Sequence, residues 1–543
     1  MSARARKFLI RSTLIFLSTT LFVARAAAAE KPLGQWLVVT APAFRAELAP
    51  LIEHRQAEGF KVVIIETTNV LSPEQPAALL QARVRQVCER AGGTTYVLLV
   101  GDMSANPTNA EQTVVPPLLG AIERMKGELT DYGYGLNDTN GVPAVAVGRF
   151  PARTVGEVRS MVQKTLKLER AQSSAAWRNQ LLLLMGNPGG GDFAEMMMEP
   201  AVGARLKRLH AAWNLQGISC STASRYYLPG ARARENFFRS LEAGGLFAFF
   251  MGHSTSSNMW LVNREFIDRN AWRDVNMAKA PAIFFTSGCY ALQIAGREDE
   301  GYGFVAMRNP NGPAAFIGAT GESYTAPGFL ASDGLLECFS QPPFPSRLAD
   351  YWLAVQAGLA RGKIHAGAFN LYDQFDGSKG KVPLDVQRRE HLEMWMLLGD
   401  PALRLPLVPM NIVIDPPAPV KVGMPFTVTG TLPDSLARPA VLRVSLERPL
   451  SSVPHSLEKL PPNSPENQSA RERVSVSNHE RANNFVLNST QVIPDKQTFT
   501  CSLMAPSIIP WSNLVIRVTA TTSNQAAVGV LAVPAPQLGE AKP

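Results

Sequence analysis

Two short apolar runs end in residues that could do covalent chemistry together. Leu246-Phe-Ala-Phe-Phe-Met251 leads into Gly252-His253-Ser254, and Ala282-Ile-Phe-Phe-Thr286 leads into Ser287-Gly288-Cys289. Apolar runs of this length read as buried strands. An open parallel sheet presents its reactive groups beyond the carboxyl ends of its strands. If these two strands are neighbours, an imidazole and a thiol emerge at one edge. A thiolate there can attack a carbonyl carbon, and the imidazole can take the thiol proton and later return it to a leaving amine. Gly252 and Gly288 allow close approach of a substrate backbone. The backbone N–H groups of Cys289 and Ser254 are candidates for holding a tetrahedral oxyanion. Taken singly, Cys289 fits a buried structural thiol and His253 a strand-end side chain tied to backbone. Taken together, at the ends of two similar strands, they favour chemistry.

The elements around the pair repeat one grammar. Strands are predicted over 36–40, 61–66, 96–100 and 143–148, with helices over 43–58, 73–91 and 154–172 between and after them. The pattern restarts at Gln180 with a strand over 181–185, helices over 195–213 and 232–243, the two strands above, and a strand over 314–318. Helices over 346–361 and 391–398 follow. Apolar strands alternating with amphipathic helices imply an α/β fold with a mostly parallel sheet covered on both faces. Two such layers are expected, over 33–175 and 176–407. Past Pro416-Pro417 and Pro419, short alternating runs predict an immunoglobulin-like β-sandwich over 410–535. Residues 455–484 are polar, with few apolar anchors, and read as a long flexible loop.

Residues 1–29 have a basic start, an apolar stretch over 12–24 and small residues from Ala26 to Ala29. That order predicts a signal peptide and an exported protein, whether secreted, surface-bound or periplasmic. No stable membrane span is expected, because the apolar stretch is too short. The leader holds five Arg or Lys and no acid, so its removal takes the net charge from +8 to +3. The remaining charge gives no case for a nucleic-acid partner. The five cysteines include no C-x-x-C pair, and their odd number leaves one thiol unpaired within the chain. Asn137-Asp-Thr-Asn-Gly141 has some calcium-loop character but lacks the closing Glu, and a turn fits it better. His391-Leu-Glu393 lacks the second His of a zinc helix, and no metal ligands are assigned.

Several motifs occur in order: Thr95-Tyr-Val-Leu-Leu-Val-Gly-Asp102, Asp131-Tyr-Gly-Tyr-Gly135, Val147-Gly-Arg-Phe150, Met251-Gly-His-Ser254, Phe285-Thr-Ser-Gly-Cys289 and Leu398-Gly-Asp-Pro401. In these, residues 35–405 resemble the gingipain-type cysteine peptidases, peptidase family C25. The resemblance implies two caspase-like α/β subdomains side by side, followed by an immunoglobulin-like module. It implies a cysteine endopeptidase acting on polypeptides through a thioester acyl-enzyme. Cys289 and His253 would form the dyad, and the N–H groups of Cys289 and Ser254 the oxyanion hole. No cofactor is required, although structural calcium occurs in such proteins. Three departures stand out. Gly-His-Ser replaces the usual Gly-His-Gly. Gly186-Asn187-Pro188 stands where an acidic residue is expected, leaving Asn187 as a candidate to orient His253. Glu195 falls near the position of a pocket acid that would attract Arg or Lys, but a solvated helix residue beside core methionines fits it better. Thr320, Gly321, Glu322 and Tyr324 are expected to line the substrate cleft. The missing acid also motivates an alternative: an inactive peptidase fold serving adhesion or assembly at the cell surface.

Overall fold

The computed structural model describes residues 33–536, apart from 68–75, 104–112, 137–140, 172–175, 190, 263, 295–299 and 495. Strands with apolar residues on both faces can be buried only inside a covered sheet, and here they form a single one. Its strands are β1 (Gln35–Thr40), β2 (Lys61–Glu66), β3 (Thr95–Val100), β4 (Ala146–Phe150), β5 (Gln180–Met185), β6 (Asn214–Ser219), β7 (Phe247–Met251), β8 (Ile283–Thr286), β9 (Ala315–Ala319) and β10 (Trp395–Leu398). Their order across the sheet is β2-β1-β3-β4-β10-β9-β8-β7-β5-β6. The two expected layers are therefore halves of one ten-stranded sheet over a common core.

The halves meet at β10. It runs parallel to β4, through Leu398 opposite Arg149, and antiparallel to β9, with Phe316 opposite Leu398 and Ala319 opposite Trp395. All other pairs in the sheet are parallel. The two halves consequently point in opposite directions. The edge that carries the ends of β7, β8 and β9 also carries the start of β10. Residues entering β10 thus arrive beside residues leaving β9.

Three elements differ from expectation. Residues 391–398, expected as one helix, divide into the end of helix Leu384–Met394 and strand β10. An apolar run this short does not distinguish the two by periodicity. Strand β6 carries Gln216 and Gly217 and gives little strand signal in sequence. The expected loop over 455–484 contains helix Gln468–Asn483. This helix is polar all round, so no apolar stripe announces it. It is fixed by tertiary contacts. The Asn483 side chain accepts from the Gly217 N–H at 2.7 Å and donates to the Gly217 carbonyl at 3.0 Å. One amide thereby satisfies both backbone groups of a residue on the sheet's edge strand, which would otherwise be open to pairing.

Several of the sequence motifs prove to be structural. Arg149, fully buried, forms a bidentate pair with Asp131 at 2.7 Å through both nitrogens and also donates to the carbonyls of Gly101 and Val115. Asp400 accepts from the Trp36 indole at 3.1 Å and from Arg55 at 2.7 Å. Buried charges persist only where paired and hydrogen-bonded in this way.

Beyond the sheet, strands Val413–Ile414, Pro425–Thr431 and Thr498–Met504 form one antiparallel sheet. Strands Val441–Glu447, Val486–Val492, Asn513–Thr521 and Ala526–Pro534 form another. Phe426 and Val428 of the first share a core with Leu442, Val444, Leu514 and Ile516 of the second. Among the described residues, no helix is long and apolar enough to cross a membrane.

Candidate active site

Strands β7 and β8 are parallel neighbours, with Phe247 opposite Ile283 and Phe250 opposite Thr286. Their aromatic residues pack the core: the Phe249 and Phe285 rings lie 6.1 Å apart and those of Phe284 and Phe316 4.9 Å apart. Rigid strands therefore deliver His253 and Cys289 to the same edge. Both line one cavity of about 430 Å³, together with Ser287, Ser323 and Tyr324. Cys289 is part-buried, and none of the five cysteines forms a disulfide.

The imidazole is held from behind. His253 Nε2 lies 2.9 Å from the Pro188 carbonyl oxygen, in the loop after β5. A carbonyl can only accept, so Nε2 carries the proton and, in the neutral ring, Nδ1 keeps the lone pair. The Pro188 carbonyl thus holds the ring at Nε2. Asn187 itself accepts from the Gly189 N–H at 2.9 Å and closes the turn that presents Pro188.

The thiol is held from the front. Its sulfur lies 3.4 Å from both the N–H and the carbonyl of Ser323, after β9. Burial pushes the thiol up to about 11 from an ordinary 9.0. The Ser323 N–H opposes that rise, and the negative charges of Asp376 and Glu322 add to it. The resting species is therefore the neutral thiol. Tyr290, the next residue, has φ of 55°. Such a left-handed conformation is costly for an aromatic residue and sharpens the turn at the sulfur.

A buried hydroxyl cluster fixes the two turns to each other. The Ser254 hydroxyl donates to the Cys289 carbonyl at 2.6 Å. Tyr302, fully buried beneath, places its hydroxyl 3.4 Å from Ser254 Oγ and 3.3 Å from Thr286 Oγ1. Thr286 Oγ1 in turn accepts from the Gly288 N–H at 3.0 Å. A β-carbon on Gly288 would lie 2.2 Å from Ser254 Oγ, so glycine at 288 leaves the room that serine at 254 fills. The Ser254 side chain ties down the Cys289 turn. Among the described residues, neither the Ser254 N–H nor the Cys289 N–H donates to a backbone carbonyl.

The expected cleft residues separate. Tyr324 lines the cavity. Its N–H donates to His391 Nε2 at 2.8 Å, and His391 Nδ1 lies 2.6 Å from the Gln387 carbonyl. Burial pushes His391 down to about 3, so the ring stays neutral and supports the 323–324 backbone from below. Thr320 is fully buried, and its N–H donates to the Met394 carbonyl at 2.9 Å. Gly321 is buried against Met125, and its carbonyl accepts from the Tyr290 N–H at 2.9 Å. Glu322 is exposed and pairs with Arg124 at 3.2 Å. Arg124 also pairs with buried Glu390 and lies 4.1 Å over the Tyr324 ring. Residues 320–322 are not among the described residues that line this cavity, and they anchor the segment that presents Ser323 and Tyr324. Glu195 belongs to helix Gly191–Leu206, but its side chain lies outside the described residues. Residues 137–140 of the calcium-like segment also lie outside them. Sequence reasoning missed Pro188, Tyr302, Ser323 and His391 as site residues.

One trio among the described residues, His54, Glu58 and Glu169, brings enough ligand atoms together for a metal ion. Arg55 pairs with both carboxylates at 2.6 and 2.7 Å, and Arg347 pairs with Glu58 at 3.0 Å. The cations already present there make an ion-pair network of it.

The fold is α/β, and a histidine and a part-buried thiol share one cavity at an edge of its sheet. The family model described as peptidase family C25 matches residues 30–406, and the chain belongs to that family of cysteine peptidases. It is 22% identical over 409 residues to gingipain R1 of Porphyromonas gingivalis, a match covering 72% of this chain and 36% of that protein. It is likewise 22% identical over 407 residues to gingipain R2 of the same species, covering 72% of this chain and 48% of the relative. The match thus spans less than half the length of these relatives. Among solved structures, the Arg specific cysteine proteinase gingipain R is similar in fold, with a TM-score of 0.53 at 16% identity, covering 93% of this chain and 99% of that one. The complex of the pro- and mature domains of the Porphyromonas gingivalis RgpB protein aligns with a TM-score of 0.51 at 15% identity, covering 93% and 100%.

Proposed function

We propose that this chain is an exported cysteine endopeptidase that hydrolyses polypeptides through a Cys289–His253 dyad. The observation that carries the proposal is the shared cavity at the ends of β7 and β8, into which both side chains open. With Nε2–H held by Pro188, Nδ1 accepts the thiol proton as sulfur adds to the scissile carbonyl carbon. The developing oxyanion takes the N–H groups of Cys289 and Ser254. The intermediate collapses by breaking the C–N bond, and Nδ1–H protonates the departing amine. A water then attacks the thioester, with Nδ1 as base, and releases the acid and the thiol. The chemistry needs no cofactor. The two antiparallel sheets after residue 410 read as an immunoglobulin-like module.

That a carbonyl, and not a carboxylate, holds the imidazole favours a second reading, an inactive peptidase fold serving adhesion or assembly. Cys289→Ala decides between them. On the peptidase reading, turnover of a peptide library is lost while the melting temperature stays near wild type. Wild-type protein that cleaves nothing, or a variant that still cleaves, removes the proposal.

A further inference from the structure

The walls of the cavity beside Cys289 are mostly apolar. Met185 and Met251 close it at the ends of β5 and β7, Val202 comes from helix Gly191–Leu206, Phe329 from helix Thr325–Glu337, and Leu371 and Tyr372 from helix Ala366–Asp376. Val202, Arg205, Met251 and Ser332 also line a second, smaller pocket of about 90 Å³. The rest of that pocket's lining includes Leu181, Leu183, Leu206 and Phe249. Most of the described lining of both is therefore hydrocarbon. At about 430 Å³ the cavity beside Cys289 falls in the range that holds small organic groups, roughly 300–1,000 Å³.

Among the described lining residues other than His253, two are charged. Arg205 lies 4.4 Å over the Phe329 ring and pairs with Asp333 at 3.1 Å, so a cation held by its counter-ion stands in the lining that the two pockets share. Asp376 is exposed at the rim, and its carboxylate accepts from the Thr325 hydroxyl. A substrate Arg or Lys reaching into the cavity would meet mostly apolar walls and a guanidinium whose carboxylate partner, Asp333, is already taken. An apolar side chain would meet two methionines, whose flexible thioethers adapt to different shapes.

Resting on the peptidase reading, we infer that this cavity is the primary specificity pocket and selects a large apolar side chain, Phe, Leu or Met, on the acyl side of the scissile bond, in preference to Arg or Lys. The probes test the acyl side directly, since they place the varied side chain next to the ketone that the sulfur attacks.

The test uses two peptidyl acyloxymethyl ketones that differ only in carrying Phe or Arg next to the reactive ketone, with labelling of Cys289 followed by intact mass. The Phe probe should label about tenfold faster or more, the discrimination an apolar pocket typically gives. Tyr372→Asp, which places a carboxylate in the wall, should shift the ratio toward Arg. Equal or faster labelling by the Arg probe overturns the inference while leaving the peptidase reading intact. If Asp376→Asn then removes that advantage, the rim carboxylate and not the apolar lining sets specificity. Failure of both probes to label Cys289 overturns the inference together with the peptidase reading beneath it.

Discussion

Alkylation of Cys289 by iodoacetamide, followed from pH 7 to 11, reads the state of the thiol before any substrate arrives. Only the thiolate reacts, so the rate tracks its population. Burial holds the thiol at about 11 instead of 9.0, against the favourable contacts from the Ser323 N–H and from its own N–H. A shift of that size leaves roughly one thiol in ten thousand ionised at pH 7, about a hundredfold fewer than for an unperturbed cysteine. The expected profile, with modification mapped to Cys289 by peptide mass, rises tenfold per pH unit and levels only near pH 11. A peptidyl electrophile should behave differently. It brings a carbonyl against the sulfur, the proton leaves to His253 as the bond forms, and labelling at pH 7 should be rapid in wild type and lost in His253→Ala. An iodoacetamide profile that is already flat from pH 7 to 11 would show a preformed thiolate–imidazolium pair and refute the argument from burial.

Two further substitutions probe the supports. Ser254→Gly keeps the backbone N–H but removes the hydroxyl from the Cys289 carbonyl and from Tyr302. At about 1–2 kcal/mol for the lost contacts, kcat should fall roughly five- to thirtyfold with KM little changed, whereas an unchanged kcat would mean that the hydroxyl does not position the nucleophile. Lys164 is fully buried, donates to the carbonyls of Met307 and Asn309 at 2.6 and 2.9 Å, and is pushed by desolvation down to about 7 from 10.5. The unfolded chain therefore holds that proton over a pH range where the folded chain does not, and stability should rise between pH 7 and 9 by up to about 1.4 kcal/mol per unit. Urea melts should show this rise in wild type and its loss in Lys164→Met, and identical pH profiles would contradict it.

How far the site can be read from sequence depends on where each constraint is written. Strands β7 and β8 are legible because they are unbroken apolar runs, each ending in Gly plus one reactive residue. Their adjacency makes the pair of residues meaningful. The orienting group for His253 is not legible as a side chain because it is a backbone carbonyl, and every residue has one. Tyr302 and His391 look like ordinary core residues in sequence. Only the fold brings Tyr302 under Ser254, 48 positions away, and His391 under Tyr324, 67 positions away. The reversal of direction at β10 was equally hidden, since four apolar residues after a helix read as more helix. The cleft expectation for 320–322 followed the rule that loops after parallel strands face ligand. The buried Thr320 and the Arg124 pairing of Glu322 show such a loop turning most of its residues into support. The polar helix over 468–483 belongs to the same class, being specified by partners such as Gly217 and not by its own periodicity.

Mass spectrometry of protein quenched during turnover of a peptide ester bears most directly on the mechanism. A thioester intermediate predicts an added acyl mass that maps to the Cys289 peptide, appears within the first turnover, decays with hydrolysis and is absent in Cys289→Ala. Turnover with no acylated species at Cys289, or with the acyl group on another residue, would contradict it.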